Sequence, residues 1–174
     1  MKQNITGKIR TMKRVLAVLL CVAVVFGMCG CYLGSAAKER RTAHKKALKV
    51  FEYIKDENID KLTDMFSDDT RSEYDVEQQW EDFFDSVDGQ IESYGKLKVT
   101  DSEVWYDGGK VTHALITVSF TDVVTDEGVR YDELSYEHVV TDKDKDAVGI
   151  KVLEILDSDE EEVAVVGGIG RYNE

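Results

Sequence analysis

The chain has 174 residues, with 22 basic and 35 acidic side chains and a formal net charge of −13. That length suits one compact domain. Residues 51–174 hold 11 basic and 34 acidic side chains, so this part of the chain repels nucleic-acid phosphates. The charge therefore argues against nucleic acid as a partner.

The N-terminus has the organisation of a bacterial export signal. Residues 1–14 contain five basic residues and no acidic one, and residues 15–30 are apolar throughout. The segment ends in Met28-Cys29-Gly30-Cys31, which resembles a lipobox. We predict a lipoprotein signal peptide over residues 1–30, cleavage between Gly30 and Cys31, and attachment of lipid, including palmitate, to Cys31.

Two alternatives to this interpretation remain open. Cys29 as the lipid acceptor fits less well, because the bulky Met28 would then stand where a small residue is needed. An uncleaved transmembrane anchor over Val15–Leu33 is just long enough to cross a bilayer. The signal and the anchor both place the domain outside the cytoplasm, because the basic residues precede the apolar stretch. We therefore predict the extracytoplasmic face of the cell membrane.

A basic segment follows a short tether of residues 31–36. Its cations include Lys38, Arg40, Arg41 and Lys45. Beside an anionic membrane each such residue contributes on the order of 1 kcal/mol. The segment predicts contact with lipid headgroups, and the alternative is a solvated helix face.

The first two helices follow from the spacing of apolar residues. From Ala43 to Ile54 these recur at i, i+4, i+7, i+8 and i+11, which predicts a helix of about residues 37–55. The pattern repeats over residues 59–66, where Asn58 is the expected N-cap.

The third helix is predicted over residues 76–87, with an apolar face that includes Trp80. The segment Thr70–Glu73 has the pattern of a capping box, which we assign to the start of this third helix. Gly89 stands where a left-handed residue commonly ends a helix.

From Ile91 onward the apolar period changes to two, which predicts strands. The predicted strands cover residues 91–106, 110–124, 129–141 and 148–156. The first is one long bent strand or two short ones, and its apolar phase changes across residues 101–103, which predicts a β-bulge. Residues 163–170, after an acidic turn, form an edge strand or a tail.

Helices followed by strands predict an α+β domain. In it, three N-terminal helices pack on one face of a bent antiparallel sheet of about four strands, and the other face meets solvent. The predicted organisation is a signal peptide over residues 1–30, a tether over 31–36, the domain over 37–156, and an acidic turn with a tail or edge strand over 157–174.

This order of elements resembles the cone-shaped domain of the nuclear-transport-factor-like (cystatin-like) superfamily, which includes ketosteroid isomerase and scytalone dehydratase. More narrowly, the chain resembles an uncharacterised family of clostridial-type lipoproteins with that fold. The shared features are the lipobox, Ala43-x-x-x-Ala47-Leu48-x-x-Phe51, Asp60-x-Leu62-x-x-Met65-Phe66-Ser67 and Gly149-Ile150. The resemblance implies a pocket between helices and sheet over residues 37–156, and it carries no chemistry.

The candidate pocket combines aromatic residues with one histidine. His138 lies between Tyr136 and Val140 on an apolar strand face, where it could carry a proton or bind a ligand. The residues assigned to the pocket are Trp80, Tyr94, Trp105, Tyr136 and His138. The alternative is that the aromatic residues form the core and that His138 is a hydrogen-bonded core residue.

No motif predicts a catalytic group, a cofactor or a metal site. The sequence Asp142-x-Asp144-x-Asp146 begins like a calcium loop. However, Ala147 and Leu153 stand where such a loop needs Gly and Glu, so we interpret it as a solvated hairpin loop.

The leading functional hypothesis is an exported, membrane-anchored lipoprotein that binds a ligand or a protein partner without catalysis, through its pocket or its open sheet face. One alternative is a small pocket enzyme of the isomerase or dehydratase type, with Tyr136 and His138 as its first candidate residues. The other is an accessory subunit of a cell-envelope assembly.

Overall fold

A computed structural model describes residues 37–168. Helix α1 covers residues 37–55 of this part. The further elements are α2 (Ile59–Thr63), α3 (Asp68–Glu73), α4 (Val76–Ser86), β1 (Ile91–Ser93), β2 (Lys96–Asp107), β3 (Lys110–Thr125), β4 (Arg130–Thr141), β5 (Gly149–Leu156) and β6 (Glu162–Gly167).

The short helices begin at polar side chains that bind free backbone N–H groups. The Asn58 side chain accepts a hydrogen bond from the N–H of Lys61, which confirms the predicted N-cap of α2. The cap of α4 is Asp75, so the predicted capping box before this helix is wrong. Thr70 instead belongs to α3. Its hydroxyl oxygen lies 2.8 Å from that of Ser67, which is the N-cap of α3.

The strands form one antiparallel sheet in the order β1-β3-β4-β5-β6, and β2 pairs with the same side of β3 as β1 does. The prediction of three helices on a four-stranded, cone-shaped nuclear-transport-factor-like sheet is therefore wrong. The described residues contain six strands and four helices, and strand (44%) exceeds helix (31%).

The two additional strands arise at a break and at an edge. The long predicted strand is interrupted at Gly95, where a Cβ atom would lie 2.7 Å from Oδ2 of Asp122. Asp122 itself has a φ of 56°, and the buried residues of β3 change phase between Phe120 and Val123 on either side of it. The other additional strand, β6, pairs with β5 after the acidic turn.

The bulge predicted in the first strand is confirmed. Asp101 pairs with Ile116 and Glu103 pairs with Leu115, so Ser102 is the extra residue. As a result, Leu97, Val99 and Asp101 of β2 lie opposite buried residues of β3, on the side of the sheet that the helices cover.

Two segments from the motifs of the resemblance lie against each other. The N–H of Ser67 donates to the carbonyl of Ile150 at 3.0 Å, and the N–H of Ile150 donates to the carbonyl of Met65 at 2.9 Å. Gly149 has a φ of 143°, and a Cβ atom there would lie 2.7 Å from the carbonyl carbon of Phe66. Only glycine fits this close approach without strain.

The core lies between the helices and one face of the sheet. On α1, Ala43, Ala47, Val50 and Ile54 are fully buried, and the two alanines let the helix backbone approach the strands. The opposite sheet face is less open than a solvated face should be. There Ser135 and Glu154 are buried, and the Ser135 hydroxyl donates to Oε1 of Glu154 at 3.3 Å.

Candidate functional site

The candidate site is a polar cluster on the covered sheet face. Tyr136 and His138 lie two residues apart on β4, so their side chains share one face of the sheet. Tyr136 is 2% exposed and His138 is 1% exposed. Their ring centroids are 6.4 Å apart.

Helix α1 brings a cation to this pair. Lys46 lies in the helical phase of the buried face, next to Ala47 and three residues after Ala43. Its Nζ atom is 3.2 Å from Nε2 of His138. The helix therefore brings the amino group of Lys46 to the covered face of the sheet.

Burial sets the protonation states of the cluster. Desolvation, followed by the charge of Lys46, lowers the pKa of His138 to about 3. Desolvation also lowers the pKa of Lys46 and raises the pKa of Tyr136. The imidazole is therefore neutral near pH 7, and the phenol keeps its proton.

The cluster contains polar atoms that the described residues do not satisfy. Nδ1 of His138 and the hydroxyl of Tyr136 are both buried, and neither has a hydrogen-bond partner within residues 37–168. Buried polar side-chain atoms are generally paired in folded proteins, so each exception needs an explanation.

One ion pair and one further hydrogen bond also join α1 to the strands. Arg40 forms a forked ion pair with Asp101, with its Nε atom 2.8 Å from both carboxylate oxygens. The Thr141 hydroxyl donates to Oε2 of Glu39 at 3.0 Å. Both nearby carboxylates thus have partners of their own.

The other residues of the predicted pocket lie elsewhere in the domain. Trp80 is fully buried and contacts the rings of Phe66, Phe83 and Phe84. Tyr94 packs edge-on against Phe51, with ring centroids 4.6 Å apart. These two residues belong to aromatic clusters of the core.

Trp105 lies on the opposite face of the sheet and is 57% exposed. Its ring centroid is 4.7 Å from that of His113, and its indole N–H donates to Glu103 at 2.7 Å. His113 in turn pairs with Asp142, and this hydrogen bond lowers the pKa of the Asp142 carboxyl group. Of the five predicted pocket residues, the structure brings together Tyr136 and His138.

The inward position of Lys46 is not among the features predicted from the sequence. The available signal was its phase, since Lys46 falls on the apolar stripe of α1 while Lys45 falls outside it. Gly30 and Cys31, the predicted processing and lipidation residues, lie outside the described residues.

Between residues 37 and 168, no three His, Cys, Asp or Glu side chains are placed so that they could hold a metal ion. In the same range, no helix has the length and apolar character needed to cross a membrane.

A protein-family model described as "Domain of unknown function (DUF5104)" matches residues 49–160 of the chain. The chain belongs to the DUF5104 family. No curated protein matches the chain. The DUF5104 region includes Tyr136 and His138 but begins three residues after Lys46, so the cation of the site lies just outside it.

Proposed function

We propose that this DUF5104 protein is an exported lipoprotein, anchored in the cell membrane through lipid on Cys31, whose domain binds a ligand without catalysis. The observation that carries the ligand-binding proposal is a pair of buried polar atoms, on Tyr136 and on His138, that have no partner within residues 37–168. The pKa of His138 is about 3, and the neighbour of its imidazole is Lys46. A neutral hydrogen-bonding role therefore fits His138 better than proton transfer near pH 7.

The anchoring proposal rests on the basic, apolar and lipobox segments of the sequence. Metabolic labelling with an alkyne fatty acid in a bacterial host tests it. We expect the wild-type chain to be labelled and processed, and Cys31→Ser to lose the label and keep the precursor mass. Cys29→Ser is the matched control and should be labelled normally. Label that depends on Cys29, or an unprocessed wild-type chain held in the membrane, would contradict the proposal.

We also propose that the outer face of α1 contacts anionic headgroups. Lys38, Arg41 and Lys45 are exposed there, and no ion pair involves their side chains in the described part of the chain. The same face carries Leu48, a large apolar residue that is 42% exposed. Arg40 is a weaker candidate, because its guanidinium is bound to Asp101.

Vesicle flotation of a lipid-free chain that begins at Tyr32 tests the contact. Partitioning onto vesicles that contain phosphatidylglycerol should exceed that onto pure phosphatidylcholine vesicles. The double variant Arg41→Gln/Lys45→Gln should weaken it at least about fivefold. Lys96→Gln/Lys98→Gln removes the same charge from the opposite sheet face and is the control. Equal losses in both double variants would show a net-charge effect and sink the headgroup proposal.

A further inference from the structure

We infer that the tip of the β2–β3 hairpin contacts the membrane, with the exposed ring of Trp105 among the lipid headgroups. The hairpin tip comprises residues 103–113, which lie beyond the bulge at Ser102. The inference rests on the proposed lipid anchor at Cys31. It assigns a second membrane contact, on the sheet, to the same anchored protein.

The hairpin tip exposes two aromatic side chains. Of the large apolar and aromatic residues that the structure describes, three are exposed, namely Leu48, Trp105 and Tyr106. Two of the three are therefore neighbours on the hairpin tip. Trp and Tyr have an apolar body and a polar end, and they are enriched where a membrane meets water. The hairpin tip thus has side chains that suit a membrane interface.

The Trp105 ring is held in place by its neighbours. Its centroid lies 4.7 Å from that of His113, and its indole N–H donates to Glu103 at 2.7 Å. His113 is in turn bound to Asp142 after β4. Because the indole N–H already has a partner, moving the ring out of water leaves no donor unpaired. A ring that is already ordered also loses little conformational freedom on contact.

Helix α1 and strand β2 run in opposite directions, which brings the start of the helix to the hairpin tip's end of the sheet. Phe51 packs against Phe120, which pairs with Leu97 near the start of β2. Nearer the helix start, Arg40 binds Asp101 further along β2. The tether therefore joins the domain at the end where the hairpin tip projects.

Two lengths indicate that the hairpin tip can reach the membrane. Ala37 is six positions after Cys31, so the chain between them spans at most about 20 Å. Along β2, the six positions from Asp101 to Asp107 also cover about 20 Å. A lipid on Cys31 therefore keeps the membrane close to this end of the domain, and the hairpin tip extends about as far as the tether does.

The charges at this end of the domain are nearly balanced. The hairpin tip and the neighbouring loop of residues 142–146 carry five acidic and three basic side chains. Three further cations, Lys38, Arg41 and Lys45, are exposed near the start of α1. Because opposite charges lie close together here, an anionic membrane repels this end only weakly, although the chain as a whole is acidic.

Tryptophan fluorescence of the full processed chain in vesicles reports on this contact. The chain has two tryptophans, and Trp80 is fully buried, so a quencher in the membrane acts on Trp105. The vesicles contain phosphatidylcholine and phosphatidylglycerol whose acyl chains are brominated close to the headgroups. We expect the bromine to remove most of the Trp105 emission. Trp105→Phe keeps Trp80 as its tryptophan and should show no quenching.

The matched control moves the exposed tryptophan to the other end of the sheet. Glu127 is exposed in the turn between β3 and β4, and the 16 residues of β3 separate this turn from the hairpin tip by about 50 Å. In the double variant Trp105→Phe/Glu127→Trp, the introduced tryptophan should remain unquenched by the brominated lipids.

The outcomes separate this inference from the lipid anchor on which it rests. A chain that carries lipid on Cys31 but whose Trp105 is not quenched would overturn the hairpin contact and leave the anchor in place. Equal quenching of Trp105 and of the tryptophan at position 127 would also overturn it, because no end of the domain would then face the membrane. A chain without lipid on Cys31 would overturn both proposals.

Discussion

The contact between α1 and the sheet has two ends that differ in how completely their groups are satisfied. At the apolar end, Phe51, Tyr94 and Phe120 form a ring cluster with centroids 4.6 to 5.1 Å apart. At the polar end, the same helix places Lys46 beside Tyr136 and His138. The rings of the apolar cluster pack on one another, whereas Nδ1 of His138 and the Tyr136 hydroxyl have no hydrogen-bond partner within residues 37–168.

The two tyrosines show what the difference means. Tyr94 is half-buried, while Tyr136 is almost wholly enclosed. Burying a hydroxyl without a hydrogen bond costs free energy, on the order of 1–3 kcal/mol in mutational data. A fold that needed only a core could place phenylalanine at position 136. Packing therefore accounts for the apolar end, whereas the buried polar groups of the other end lower stability unless they are hydrogen-bonded.

The largest expected effect comes from breaking the apolar end. Phe120→Ala removes a fully buried ring that contacts Phe51 and Tyr94, and it should lower the free energy of unfolding by about 3–5 kcal/mol. Denaturant unfolding measures the loss. Leu48→Ala, at an exposed position on the same helix, should change stability by less than about 0.5 kcal/mol.

The same variant also tests whether the two ends are independent. The imidazole nitrogen shifts of His138 should be the same in folded Phe120→Ala as in the wild type, because His138 pairs with Ile116, four residues from Phe120 along β3. A large change in these shifts would show that the two ends form one cooperative unit.

The next largest effect is a pH dependence that originates at the polar end. The pKa of His138 is about 3 in the folded chain, against 6.5 for an unperturbed histidine. Between these values the unfolded chain binds a proton that the folded chain does not, so stability rises with pH across this window. Lowering the pH from about 6.5 to 5 should therefore cost about 2 kcal/mol.

Unfolding curves measured at both pH values check this expectation. His138→Gln should flatten the dependence over this range, and His44→Gln, at an exposed position of α1, should leave it unchanged. A wild-type pH dependence that persists in His138→Gln would assign the effect to other groups and would contradict the neutral, buried imidazole.

The smallest expected effect concerns the ion pair beside the polar end. Arg40 is 55% exposed and Asp101 is 19% exposed, so water screens their interaction. A double-mutant cycle with Arg40→Gln and Asp101→Asn should give a coupling below about 1 kcal/mol, and high salt should reduce it further. A coupling that is large and insensitive to salt would mean that this pair fixes α1 on the sheet.

Local sequence patterns predicted the elements better than their assembly. The range of α1, the cap at Asn58 and the bulge at Ser102 follow from periodicity and side-chain chemistry within a few residues. The helix α3 was missed because Thr70 and its neighbours fit a cap for the next helix equally well. The competing cap, Asp75, is apparent only once both helices are placed.

Short-range sequence patterns are enough to predict an α-then-β chain with an apolar stripe on α1 and alternating strands, while the export signal over residues 1–30 stays a prediction. These features depend on residues close together along the chain, because the helical and strand periods decide which neighbouring side chains share a face. The six-stranded sheet and the polar site become apparent only in the folded chain. Lys46 and His138 lie 92 positions apart, and their contact depends on how α1 crosses the sheet, which no local pattern encodes.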